Sequence, residues 1–333
     1  TVLARSSYWS SRDEFLLRSP DNNDCSRTLL TAPGGYVSSY GVDYDGAVQP
    51  ASNLNLSSVL FASAAKATSS SPAELGTIAS GTAMTLRLDG TGKNIGTVEY
   101  SATTGDINVV RGSTSQPVSL VVQGNDGTQD WFYSKQITGP ETINASNIKL
   151  ALSLTSDIDL SACKIWLEIT EDNVSYAVNT EDEIEKINTT YVTRDELMTA
   201  FKPNADGTAT NYGKLVFGKK SDGTTAQEWY ILGADSGVTR DNTIIFAASP
   251  IATKKAFEND WQRYKTYDSS FGVYTSNPTD VFPNHYGASD LRAVLKGMTG
   301  GSNTSYFTTA EQGLMNLTTV TTKDEKNNVT YTT

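Results

Sequence analysis

The chain has 333 residues, 38% hydrophobic, 9% aromatic and 19% charged, with 26 basic against 37 acidic side chains and a formal charge of −11. At roughly 150 residues per domain this is about two domains, and the apolar and aromatic content excludes wholesale disorder. The acidic balance opposes phosphate and excludes nucleic acid as a main partner, and no apolar run approaches the roughly 20 residues of a membrane-spanning helix.

Residues 1–61 form a first block rich in Tyr, Gly and Pro, with short apolar pieces at 15–17, 35–37 and 47–48, then Leu54, Leu56, Val59 and Leu60. Gly34-Gly35 and Asp45-Gly46 punctuate them as turns, which predicts a meander of short strands. Residues 62–76, built largely of Ala, Ser and Thr, read as a linker. From 77 to about 180 the pattern changes to regular strands separated by Gly-, Asn- and Asp-rich turns. They fall at 84–88, 95–100, 107–110, 118–122, 131–133, 148–154, 163–169 and 176–178. That spacing predicts an immunoglobulin-like β-sandwich that folds independently, with Trp166 as a core aromatic.

A short helical connector follows at 181–209, where Thr193 and Glu196 have capping-box spacing ahead of Leu197, Met198 and Phe201. The last block, 210–333, opens with strands at 214–217, 229–232 and 244–247. Two helices come next: Ser289 caps one carrying Leu291, Val294 and Leu295 and stopped at Gly297, and Thr308 with Glu311 caps another before Leu314, Met315 and Leu317. The Thr-rich tail, 318–333, alternates weakly, as an edge strand does.

The pieces at 228–233, 286–292, 306–311, 15–20 and 47–54 in the two terminal blocks resemble a C-type-lectin-like family of unknown function found in surface proteins of gut Gram-positive bacteria. Its first half is similar to Glu228-Trp229-Tyr230-Ile231-Leu232-Gly233, Tyr286-Gly287-Ala288-Ser289-Asp290-Leu291-Arg292 and Tyr306-Phe307-Thr308-Thr309-Ala310-Glu311. Its second half is similar to Phe15-Leu16-Leu17-Arg18-Ser19-Pro20 and Ala47-Val48-Gln49-Pro50-Ala51-Ser52-Asn53-Leu54, with Leu16 where the family has Trp and Gln49 where it has Arg. The halves stand in reversed order around the sandwich. The resemblance therefore implies a β-rich α+β fold: a split, circularly permuted C-type-lectin-like domain plus an Ig-like sandwich. About 60 residues of short strands cannot build a core alone, so 1–61 must join 210–333. The joint is expected at Phe15, Leu16, Leu17, Val48, Leu54, Trp229, Ile231, Leu291 and Leu314.

Chemistry is sparse. A nucleophilic cysteine wants a histidine partner, and the chain has only His285 beside Cys25 and Cys163. Cys25 lies in a polar turn and Cys163 opens an apolar run, so both read as unpaired thiols, the second buried. Acidic turns such as Asp43/Asp45 lack the spacing of a calcium loop, and no cofactor is implied. Trp9, Tyr36, Tyr40 and Tyr44 make a candidate ligand surface. The start at Thr1 reads as a processed or trimmed chain.

The sequence thus predicts a non-enzymatic, extracellular, cell-surface structural subunit. It assembles head-to-tail into a filament with copies of itself by completing the lectin-like domain between neighbours. The alternative is a self-contained permuted adhesin that binds a glycan or a protein on a host surface.

Overall fold

A computed structural model of the chain describes residues 14–21, 23–24, 26–32, 36–67, 74–79, 81–179, 190–199, 213–234, 241–259, 265–266, 273–274, 280–281, 283–300, 302–316, 319–323 and 328–332. The fold is β-rich, with several sheets and a few short helices. The first block supplies β1 (Phe15–Pro20), β2 (Arg27–Ala32), β3 (Tyr36–Gly41), β4 (Gly46–Val48) and β5 (Ala51–Asn55). Strand β2, Arg-Thr-Leu-Leu-Thr-Ala, was not among the sequence expectations, because its paired leucines obscure the period-two signal.

The middle of the chain contributes β6 (Val59–Ser63), β7 (Glu74–Ile78), β8 (Thr85–Asp89), β9 (Gly96–Ser101), β10 (Asp106–Arg111), β11 (Val118–Asn125), β12 (Asp130–Ile137) and β13 (Glu141–Asn144). Helix α1 (Ala145–Leu152), β14 (Lys164–Glu171), β15 (Val174–Asn179), β16 (Tyr191–Thr193) and α2 (Arg194–Thr199) complete it. The strand predicted at 148–154 is therefore a helix. Asn144 and Asn147 form a reciprocal capping box at its start, and Ser153 ends it in the left-handed region; local capping outweighs the short apolar alternation. The interval read as a linker, 62–76, is strand at both ends, and 68–73 lie outside the described residues.

Eight of these strands form one sheet in the order β16-β6-β8-β15-β14-β11-β12-β7, antiparallel except for the parallel pair β8–β15. Strands β13-β10-β9 form a second, smaller sheet. Period-two alternation sorts the two faces of the large sheet. Leu120, Val122, Trp131, Tyr133, Ile165 and Leu167 turn towards the small sheet and meet Ile107, Val109 and Ile143 in a closed apolar core. Trp166 is buried, but in the other large cluster, together with Val121 and Phe61. The large sheet curls so far that Ser63 Oγ on β6 donates to Gln123 Oε1 on β11 at 2.7 Å, although three strands stand between them. Phe61 packs on Trp166 at 5.1 Å and on Tyr191 at 4.9 Å between ring centroids.

Inside that curl lies a buried ion pair. Arg87 Nε and Glu168 Oε2 are 3.0 Å apart, with side chains 2% and 1% exposed. Arg87 also donates to the carbonyl oxygens of Ser63, Thr85 and Ala65, and Trp166 Nε1 donates to Glu168. The expected independence of 77–179 meets this geometry directly. Cutting there strips Ser63 and Ala65 from Arg87 and uncovers Trp166 and Val121. A fragment of 59–199 is expected to unfold cooperatively with dispersed amide signals, and a 77–179 fragment is expected to show neither. Equal cooperativity in both fragments would show that the curl adds nothing.

The last block begins with β17 (Lys214–Lys219), β18 (Ala226–Gly233), β19 (Asn242–Ala247) and β20 (Ala252–Lys255). Short pairs follow: β21 (Lys265–Thr266) with β23 (Asp280–Val281), and β22 (Val273–Tyr274) with β25 (Asn328–Thr332), which also pairs β24 (Thr319–Lys323). The weakly alternating tail is thus a hairpin. Between these lie α3 (Asp290–Thr299) and α4 (Thr309–Leu314). Helix α3 runs through Gly297 to a cap at Gly300, three residues beyond the predicted stop; a lone glycine costs a helix only about 1 kcal/mol. Both predicted N-caps are present, Ser289 on α3 and the Thr308/Glu311 box on α4.

Candidate junction and aromatic hairpin

The terminal blocks meet within this one chain. Strand β5 completes the sheet β17-β18-β19-β5, pairing antiparallel with β19 so that Leu54 faces Thr243 and Ser52 faces Ile245. Strand β20 reciprocates by pairing with β4 at the edge of β20-β4-β1-β2-β3. Each block therefore lends a strand to the other's sheet. Further main-chain bonds tie the seam: Ile251 N–H to Val48 O at 2.8 Å, Asn316 N–H to Asn53 O at 2.8 Å and Glu258 N–H to Val42 O at 2.9 Å.

Of the predicted joint residues, Leu16, Val48, Leu54, Trp229, Ile231, Leu291 and Leu314 are all buried in one continuous cluster. Phe15 lies in a smaller cluster with Ala47 and Phe246, its ring 6.1 Å from that of Phe246, and Leu17 packs partly buried beside it. Trp229 is fixed by donating Nε1–H to Phe217 O at 2.6 Å. Phe307 packs on both aromatic rings, 5.5 Å from Phe217 and 6.4 Å from Trp229. Gly218 makes this possible: it has φ +70°, and a Cβ there would stand 2.3 Å from the Phe307 ring. Its N–H donates to Glu311 Oε1 at 2.8 Å, which couples the α4 capping box to β17.

Two polar side chains in the seam were not among the expected joint residues. Asn284, fully buried, holds Nδ2 3.1 Å from each of the carbonyl oxygens of Asp21, Asp24 and Arg27 and so clamps the β1–β2 turn. Gln49 is buried and donates Nε2–H to Ala247 O at 2.7 Å. Asn284 had no sequence signal beyond its place just before the 286–292 motif, whereas Gln49 stood inside the 47–54 motif, marked as replacing Arg but not as a joint residue. His285 lies in a loop, fully buried next to Asn284.

The tyrosine surface sits on the outermost strand of the five-stranded sheet. Tyr36 is 61% exposed, Val37 42% and Tyr44 40%. Tyr40 is half-buried, and its ring lies 4.8 Å from that of Tyr44 at 37°. Both phenols donate to one carboxylate, Tyr44 to Glu14 at 2.7 Å and Tyr40 at 3.4 Å. That hydrogen bond to Glu14, with its charge, raises the Tyr44 pKa. Trp9 lies outside the described residues.

The free edge of β3 is capped. Val42 N–H donates to Ser26 O at 2.9 Å, so by antiparallel alternation Val37, Ser39 and Gly41 turn their main-chain groups away from β2. Arg27 reaches over Gly41 to donate to Ser39 O at 3.0 Å, and Tyr44 N–H takes Gly41 O at 3.0 Å. Occupied carbonyls of this kind resist strand addition.

Among the described residues, no group of three or more His, Cys, Asp or Glu is placed to hold a metal, and no helix is long and apolar enough to cross a membrane. Cys163 is free and buried, and burial pushes its thiol up to about 12, with Asp159 adding to the effect. A thiolate fraction of about one in ten thousand at pH 8 makes it inert. In a Cys25→Ser variant, Ellman's reagent is expected to label Cys163 only after denaturant is added. Rapid labelling of the folded protein would place the thiol in solvent.

No protein-family model, no curated protein and no solved structure matches the chain.

Proposed function

We propose that the chain is a non-catalytic, extracellular surface module, in which a lectin-like unit closed by its own two ends carries an Ig-like two-sheet unit between them and binds a partner from outside. The reading rests on the reciprocal strand exchange, β5 onto β19 and β20 onto β4, with seven of the predicted joint residues in one buried cluster. Each half finds in its own chain the strand that a head-to-tail arrangement would take from a neighbour. The capped edge of β3 points the same way, since it removes a ready site for self-addition. Charge below the soluble norm, with Thr, Ser and Asn in its place, supports an extracellular setting.

One observation favours the filament as a second reading. The seam is held by main-chain pairing, apolar packing and the side-chain hydrogen bonds of Gln49 and Asn284, so a neighbour's terminal block offers the same groups to the same partners. Light scattering on the purified chain across a hundredfold concentration range separates the two. A single species of 35.8 kDa is expected throughout. A ladder of multiples, or fibres under negative stain, would replace the closed module with the head-to-tail subunit.

A further inference from the structure

We propose that β3 and the turn after it, Tyr36 to Asp45, form a docking surface for a lysine- or arginine-bearing segment of a partner polypeptide. This rests on the binding-module reading and names the chemistry of its ligand. Five large apolar side chains are conspicuously exposed among the described residues: Tyr36, Val37, Tyr44, Val110 and Leu150. The first three belong to β3 and the turn after it, with Tyr36 on the face of Tyr40 and Val37 on the opposite one, whereas Val110 and Leu150 stand on separate elements of the middle unit. The patch is also preorganised. Glu14 accepts from both Tyr40 and Tyr44, and the rings pack on each other at a tilt, so their orientation is set before any ligand arrives.

Charge decides which ligand fits. Asp43 and Asp45 flank Tyr44 in the chain, both are exposed, and neither is in an ion pair among the described residues. A phenol hydrogen-bonded to a carboxylate is richer in electron density, and an aromatic face so placed attracts an ammonium or guanidinium group. Arg27, on the neighbouring strand, is already committed to Ser39 O. With Ser39 O and Gly41 O both occupied, the partner binds through side chains and not as an added strand. The chain's charge of −11 steers a basic segment inward.

Fluorescence anisotropy of a labelled peptide of alternating lysine and glycine, titrated with the full chain at low salt and at about 0.15 M, tests this. Tyr44→Leu is expected to weaken binding about tenfold, the size of a partly desolvated cation–π contact, and Asp43→Asn with Asp45→Asn to weaken it similarly. Tyr36→Ser, at the most exposed ring and outside every buried cluster, is expected to weaken binding without shifting the thermal melt, and melts check all of the variants. Glu99→Gln with Asp157→Asn, exposed carboxylates of the middle unit, should change nothing. Equal loss in that control, or full affinity in Tyr44→Leu, would reduce the effect to unspecific attraction and overturn the proposal. So would absence of peptide binding, or a neutral oligosaccharide such as maltohexaose perturbing the Tyr36 and Tyr44 signals where the peptide does not. The light-scattering mass is independent of these outcomes, so failure here leaves the closed module standing and failure there does not mimic it.

Discussion

Replacing Arg87 with methionine is expected to destabilise the protein by about 3–5 kcal/mol, because it leaves the Glu168 carboxylate buried without its counter-charge. Total stabilities are about 5–15 kcal/mol, so the loss is a large share of the whole. The pair is 3.0 Å apart and almost wholly shielded from water, where a lone charge cannot be rehydrated without opening the sheet. The damage also spreads. Arg87 holds the carbonyls of Ser63 and Ala65, and Ser63 in turn holds Gln123, whose amide reaches Thr190 and, through it, Asp130. Removing the guanidinium therefore loosens β6 and β16 from the curled sheet. Urea unfolding followed by tryptophan fluorescence reads the effect, since Trp166 donates directly to Glu168. The double change Arg87→Met with Glu168→Leu is expected to recover much of the loss, because a well-packed apolar pair avoids the desolvation cost of two ions. A single variant losing under 1 kcal/mol would mean that water reaches the pair.

This pair also shows where sequence reading stops. In Met84-Thr85-Leu86-Arg87-Leu88 the alternation puts Arg87 on the polar face, and an isolated two-layer sandwich would expose it. The structure buries it because β6, read as the end of another block, pairs beside β8 and brings the Ser63 and Ala65 carbonyls onto Arg87, while the curl of the sheet sets the guanidinium against Trp166. Glu168 offered the complementary hint, a single carboxylate inside the apolar run Ile165-Trp166-Leu167-Glu168-Ile169. One unexplained charge is easy to pass over; two of opposite sign on neighbouring apolar strands predict a buried pair. Trp166 followed the same logic: its burial was legible from its apolar neighbours, but which core it enters depends on a long-range curl that no local pattern encodes. The capping boxes of α2 and α4 were legible because their partners lie three residues apart. Asn284 was not, since its acceptors stand some 260 residues away in the chain.

Leu16→Asp is expected to open the joint while the two-sheet core stays folded. Leu16 is buried in the seam cluster with Leu30, Val48 and Leu54, beside a glycine, Gly46, whose missing Cβ leaves room for its side chain. Truncation to alanine would cost about 2–5 kcal/mol. A carboxylate adds the penalty of burying a charge in an apolar cluster, and Leu16 is only 7% exposed, so the charge reaches water only if β1 moves away from that cluster. The seam resists through strand exchange and not through any one contact, so its opening should be collective. In hydrogen exchange, amides of β5 and β19, Leu54 and Ile245 among them, should lose protection together. Those of β11 and β14, Leu120 and Leu167 among them, should keep it, because their side chains belong to the separate core against the small sheet. Light scattering on the same variant then distinguishes the two functional readings. A closed module with an opened seam exposes apolar strands and gains a tendency to associate. A filament subunit whose growth requires that seam loses its multiples instead. Unchanged protection at Leu54 and Ile245 would mean that the terminal blocks hold together by contacts other than the Leu16 cluster.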